Sequence, residues 1–128
     1  MIKPNTNLLE RKGGCHPEEL NNEKTIILGS KQEANTHSLF NTFSNVRNLT
    51  GELSITESAM MIKSSKLFIS NDSGLMHIAS AFKKKQIAIF GSTVRELGFF
   101  PYRSVSSVIE NTKLTCRPCS HIGRNECP

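Results

Sequence analysis

Short apolar runs alternate along this chain with stretches whose apolar positions recur at helical spacing. The run TIILG, residues 25–29, is β-branched and ends on glycine, the signature of a short buried strand. Residues 31–43 place Ala34, Leu39, Phe40 and Phe43 in a loose helical pattern. VRNLTG, residues 46–51, predicts a second strand closed by Gly51. Residues 54–64 open with Ser54-Ile-Thr-Glu57, the Ser-x-x-Glu capping box, and then set Ile55, Ala59 and Ile62 on one helical face. KLFIS, residues 66–70, predicts a third strand, residues 74–82 a helix, QIAIFG, residues 86–91, a fourth strand, and SVSSVIE a fifth beyond a loop with Gly98 and Pro101. Residues 1–24 show no period and carry Pro4, Pro17 and Gly13-Gly14, so they read as an irregular leader. Strand and helix alternating over short connections predict an α/β fold: a Rossmann-like parallel sheet with flanking helices.

Composition narrows this picture. The 128 residues suffice for one domain with a core, and at 37% hydrophobic and 21% charged residues the class is globular. With one Tyr and no Trp, the core must rest on Ile, Leu, Val, Phe and Met. A formal charge of +5 favours anionic partners, but the basic residues are scattered. Their one run, Lys83-Lys84-Lys85, is what a solvated helix end carries. No signal peptide is visible, and nothing approaches the ~20 apolar residues of a spanning helix, so the expected location is cytoplasmic. Three of the four cysteines, Cys116, Cys119 and Cys127, cluster in CRPCSHIGRNECP. In a reducing compartment such a cluster reads as free thiols or metal ligands before disulfides. Zinc would want a fourth ligand, which His121 can supply.

One stretch carries candidate chemistry: SNDSGLMHIASAF, residues 70–82. It lies where a strand hands over to a helix, the edge at which parallel sheets bind ligands. The first amides of a helix have no partner inside it and attract anions. Gly74 lets a phosphate approach the backbone, and Ser73 adds a hydroxyl donor. At about 100° per residue, Leu75, Ile78, Ala79 and Phe82 form the core stripe and His77 points some 150° away, either an idle surface histidine or a donor at the mouth of the loop. Asp72 or Ser73 suits a helix N-cap, and for Asp72 capping is compatible with a ligand role. A carboxylate repels a diphosphate, so the expected task of Asp72 is to hold the loop amides.

Four segments taken together, NLTGELSITESAMMIKSSKLFISNDSGLMHIASAF, QIAIFGST, FFPYRS and CRPCSHIGRNECP, resemble the family 9 glycosyltransferases, the ADP-heptose:lipopolysaccharide heptosyltransferases. The resemblance covers residues 25–128. It implies a two-domain GT-B enzyme that transfers heptose with inversion and without a metal, and it matches residues 25–128 to part of the domain that binds the nucleotide-sugar donor, with a cysteine-rich C-terminal loop. It implies that the Ser73 and Gly74 amides and His77 hold the donor diphosphate, with Asp72 in the same loop. It further implies that Glu33, otherwise an ordinary helix-start glutamate, accepts from the ribose hydroxyls, and that Leu53 packs against adenine. Thr93, at the next strand end, is a further candidate for the cleft.

The resemblance also implies departures. The family's first domain, with the lipid-linked acceptor site and the general base, has no counterpart here. Neither does the donor domain's opening strand. Gly91-Ser92-Thr93 replaces Gly-Pro-Thr, and Lys85-Gln86 replaces Lys-Pro. The expected reading is a fragment or truncated product, inactive alone, with ADP-heptose as substrate, no cofactor, and contact with the inner face of the bacterial inner membrane. Two alternatives stand beside it: a UDP-sugar-dependent transferase fragment, and a small basic CxxC zinc or nucleic-acid module. The second needs clustered basic and aromatic residues that the chain does not supply, so no nucleic-acid partner is expected.

Overall fold

The computed structural model describes residues 23–120, the side chain of Leu39 apart. The leader at 1–24, save its last two residues, and His121 and Cys127 lie outside that range. The chain parts into two compact units between Ser58 and Ala59, because its strands pair in two separate sheets rather than one.

In the first unit β1 (Thr25–Ile27) pairs in parallel with β2 (Val46–Asn48), Ile26 opposite Arg47. The ladder runs on past both strands: Leu49 N–H donates to Ile27 O and Gly51 N–H to Gly29 O, each at 2.9 Å. Gly51 is needed at its place, since its φ is +79° and a Cβ would stand 3.0 Å from the Lys31 α-carbon. The helix expected over 31–43 is broken into a 3-10 turn at Lys31–Glu33, one α turn, α1 (Ala34–His37), and a second 3-10 stretch at Ser38–Thr42. Asn35, Thr36, Ser38, Asn41 and Thr42 are poor helix formers whose side chains compete for backbone groups. Ser38 Oγ does so, donating to Asn35 O at 2.7 Å.

The 54–64 helix is present as α2 (Ile55–Ser64), and its capping box forms. Glu57 N–H reaches Ser54 Oγ at 3.3 Å, while Glu57 Oε2 accepts from Ser54 N–H at 2.7 Å and from Ser54 Oγ at 2.6 Å. Of its expected apolar face, Ile62 is buried but Ile55 is 64% exposed.

In the second unit β3 (Phe68–Asn71), β4 (Gln86–Phe90) and β5 (Ser106–Glu110) form a parallel sheet in chain order. Ile69 stands opposite Ile87, and Ile87 opposite Ser107. Between β3 and β4 runs α3 (Gly74–Ala81). Its core stripe differs from the expected one: Met76, Ala79 and Ser80 are buried, Leu75 and Ile78 half-buried, and Phe82 is 38% exposed. Met76 packs with Ala88 and Phe90, against which Phe100 and Val108 lie. The helix is apolar around most of its girth, so periodicity alone leaves its rotation open and the sheet decides it. Ser80 is acceptable inside because its hydroxyl donates to Met76 O and accepts from Gln86 Nε2 at 2.7 Å. No helix of the described residues is long and apolar enough to cross a membrane.

Met76→Ala is expected to cost about 2–5 kcal/mol in a denaturant titration, as for other buried Met truncations. Phe82→Ala is expected to cost much less, which the expected stripe would have reversed. The capping carboxylates give a pH signature. The Ser54 hydroxyl and amide lower the pKa of Glu57, and the Ser30 amide and hydroxyl, with His37, lower that of Glu33, each below 4.5. A lowered folded pKa means stability that is present above pH 4.5 and lost as pH falls through the folded value. Chemical melts between pH 6 and pH 3 are expected to show that loss, and the Glu33→Gln/Glu57→Gln double variant to show a shallower one.

Candidate functional site

Polar side chains gather at the carboxyl ends of the strands in both units. In the first unit β1 ends on Gly29, followed by Ser30 and Glu33. Glu33 Oε2 accepts from Ser30 N–H at 2.8 Å and from Ser30 Oγ at 3.0 Å. Glu33 is therefore a helix-start carboxylate, with its second oxygen carrying no hydrogen bond among the described residues. A Cβ on Gly29 would stand 3.0 Å from Glu33 Oε2, 3.1 Å from Thr50 Cγ2 and 3.2 Å from His37 Cε1, so three side chains converge on that α-carbon.

One of them, His37, is buried and was not anticipated from the sequence. Its tautomer follows from its neighbours. Asn48 Oδ1 accepts from the Thr50 amide at 3.1 Å, and Asn48 Nδ2 donates to His37 O at 3.1 Å. Those two backbone partners fix the Asn48 amide. The Thr50 hydroxyl must then donate to Asn48 Oδ1, at 2.7 Å, so Thr50 Oγ1 accepts from His37 Nδ1–H at 2.9 Å. The signal in the sequence was a polar Asn48 and Thr50 flanking Leu49 at a strand end, too common a pattern to single out. Leu53 is half-buried in the turn between Gly51 and α2.

In the second unit the turn after β3 opens α3. Ser73 is the N-cap by position, with extended φ −158° and ψ 161°, but its side chain caps nothing. Ser70 Oγ donates to Asn71 O at 2.8 Å, so the 2.9 Å contact between the Ser70 and Ser73 hydroxyls must carry the Ser73 hydrogen. Two expectations change here. The Ser73 hydroxyl is committed within its own turn, and of the two N-cap candidates it is Ser73, not Asp72, that holds the position. Asp72 Oδ2 instead accepts from Thr93 Oγ1 at 2.8 Å, tying the turn after β3 to the loop after β4. Thr93 is buried, and its hydroxyl hydrogen is held by Asp72.

What remains outward is backbone and imidazole. Among the described residues no backbone carbonyl takes the amides of Gly74 or Leu75, as expected for the first turn of a helix. Nothing lies within 4 Å of where a Cβ on Gly74 would be, and Gly74 and His77 are both exposed. His77 projects about 100° from the observed stripe of Met76, Ala79 and Ser80.

The cysteine segment lies against the same edge. Cys119 N–H donates to Ser92 O at 3.0 Å. Cys116 is exposed and Cys119 half-buried, both as free thiols. Among the described residues no three His, Cys, Asp or Glu side chains cluster as metal ligands, and the further ligands considered above, Cys127 and His121, fall outside those residues.

Residues 18–127 match the model of glycosyltransferase family 9 (heptosyltransferase). Lipooligosaccharide heptosyltransferase 2 of Campylobacter jejuni is 36% identical over 74 residues, which are 58% of this chain and 23% of that protein. Lipopolysaccharide heptosyltransferase 2 of Salmonella typhimurium is 33% identical over 79 residues, 62% of this chain and 20% of that protein. Among solved structures, E. coli ADP-heptose lps heptosyltransferase II superposes with a TM-score of 0.59 at 27% identity, covering 66% of this chain and 27% of that one. The chain thus spans about a quarter or less of these relatives' length. Its parallel sheets with flanking helices agree with that structural match, and the chain belongs to glycosyltransferase family 9, the heptosyltransferases.

Proposed function

We propose that this chain forms donor-binding surface of an inverting glycosyltransferase that moves heptose from ADP-heptose to a lipopolysaccharide core acceptor. The observation that carries the reading is the turn from β3 into α3. There the amides of Gly74 and Leu75 have no backbone acceptor among the described residues, the space beside Gly74 is open, and His77 is exposed one turn on. A diphosphate set before that turn meets the positive end of the helix and an imidazole donor. Family membership supplies the nucleotide-sugar class, and the E. coli neighbour is an ADP-heptose lps heptosyltransferase.

In this reading the acceptor hydroxyl attacks the anomeric carbon. Its proton passes to a general-base carboxylate, and the bond from sugar to diphosphate breaks with the electron pair leaving on ADP. The amides and His77 receive the charge that builds on the departing diphosphate, with no resident cofactor. In the first unit, taken by itself, Glu33 has a second carboxylate oxygen of the kind that accepts from ribose hydroxyls, and Leu53 an apolar side chain of the kind that packs on adenine. The acceptor is a lipid-linked sugar, met on the cytoplasmic face of the inner membrane.

A titration of the purified chain with ADP, UDP and ADP-heptose tests this. ADP is expected to bind, weakly but more tightly than UDP, and no heptose transfer is expected from the isolated chain. UDP preference, or turnover, would overturn it. His77→Ala is expected to weaken ADP binding by about 1.5–3 kcal/mol, the loss of one charge-assisted hydrogen bond. Gly74→Ala separates binding from folding. Its methyl meets open space in the free protein, and Ala favours helix over Gly by up to about 1 kcal/mol, so stability should hold or rise while ADP affinity falls.

A further inference from the structure

Arg117 sits inside the cysteine segment, between Cys116 and Cys119. Its side chain is 4% exposed, which is unusual for a charge. The guanidinium grips three groups at the carboxyl edge of the second sheet. Nη1 donates to Asn111 O at 2.7 Å, and Nη2 donates to Thr93 O at 2.5 Å and to Glu110 Oε2 at 3.1 Å. Glu110 is the last residue of β5 and stands opposite Phe90, the last of β4, so the cation closes over the point where the 91–93 loop leaves the sheet. Cys119 N–H, on Ser92 O, adds a second tie to that loop. Burying Arg117 leaves its Nε–H without a partner among the described residues, a cost that the other bonds must offset.

Thr93 is the hinge of this arrangement. Its carbonyl is held by Arg117 on one side, and its buried hydroxyl donates to Asp72 Oδ2 on the other. Asp72 precedes Ser73 and Gly74, the turn that opens α3. We infer that Arg117 is a positioning residue for that turn: through Thr93 it fixes Asp72, and through Asp72 the amides that face outward at the start of α3. The function assigned to the relay rests on the donor-site reading above; its geometry does not.

Hydrogen exchange on the whole chain, wild type against Arg117→Gln, Arg117→Lys and Thr93→Val, tests the inference, with ADP titrations of the same four proteins. In Arg117→Gln exchange is expected to quicken about five- to tenfold in residues 70–75 as well as 91–94, the size of one lost hydrogen bond, while residues 25–28 in the other unit stay unchanged. Lysine keeps the charge but not the fork that reaches three acceptors, so Arg117→Lys should fall between. Thr93→Val keeps the carbonyl and removes only the hydroxyl link. It should loosen 70–75 while leaving 110–117 protected, and it keeps the test informative if the Arg117 variants fold poorly. ADP affinity should fall several-fold in Arg117→Gln and Thr93→Val.

Unchanged exchange at 70–75 in Thr93→Val would overturn the relay. Faster exchange there with unaltered ADP affinity would overturn its role in binding. The expected exchange pattern in a wild-type chain that does not bind ADP would uphold the relay and remove the donor-site reading instead.

Discussion

Parallel pairing of β3, β4 and β5 is the constraint on which the candidate site depends. With Asn71 opposite Ile89 and Ile89 opposite Ile109, all three strands end at one edge, and every connecting loop must leave from it. In an antiparallel sheet the turn after β3 and the loop after β4 would exit at opposite edges. Here they exit side by side, which is why Asp72 can accept from Thr93 although the two are far apart in sequence. The same edge receives the start of α3, so its outward amides lie at the rim of a sheet whose strand ends are already fastened together.

The fastening is done by polar side chains rather than by apolar packing. Gly74 lies beside open space, and a loop with so little around it is held only if its polar groups have partners. Ser73 donates to Ser70, Ser70 to the Asn71 carbonyl, and Thr93 to Asp72. The first unit follows the same practice. There Asn48, fixed by two backbone groups, orders the Thr50 hydroxyl, and Thr50 in turn orders the His37 imidazole. Within each unit such chains fix the directions of hydroxyl and imidazole groups. In the second unit the hydroxyls of Ser70, Ser73 and Thr93 are all committed internally, while the amides of Gly74 and Leu75 have no backbone acceptor among the described residues and the His77 ring is exposed.

Much of the order along the chain is legible in the residues. The apolar runs at 25–29, 66–70 and 86–91 give strands because their Ile and Phe side chains fit a pleated, covered surface. Ser54 and Glu57 announce the start of α2 because capping is settled within one turn of chain. The turn 70–74 is legible for the same reason: Asn, Asp, Ser and Gly end the apolar run, and the helical spacing that follows Gly74 opens a helix. The strand alternation also carries the α/β class, since short connections through helices leave parallel pairing as the solution.

What the residues did not decide are matters settled between distant segments. The rotation of α3, and with it the exposure of Phe82 and burial of Met76, is set by Ala88 and Phe90 across the sheet. The partner of Asp72 is Thr93 rather than its own helix because β3 and β4 lie in register. The burial of His37 depends on Asn48 and Thr50 arriving beside it from β2. The grip of Arg117 on Thr93 depends on the cysteine segment folding back to the edge of β4. Periodicity, capping and turn chemistry are local and are fixed by neighbouring residues; hydrogen bonds between segments require the closed chain, and only the tertiary structure supplies them.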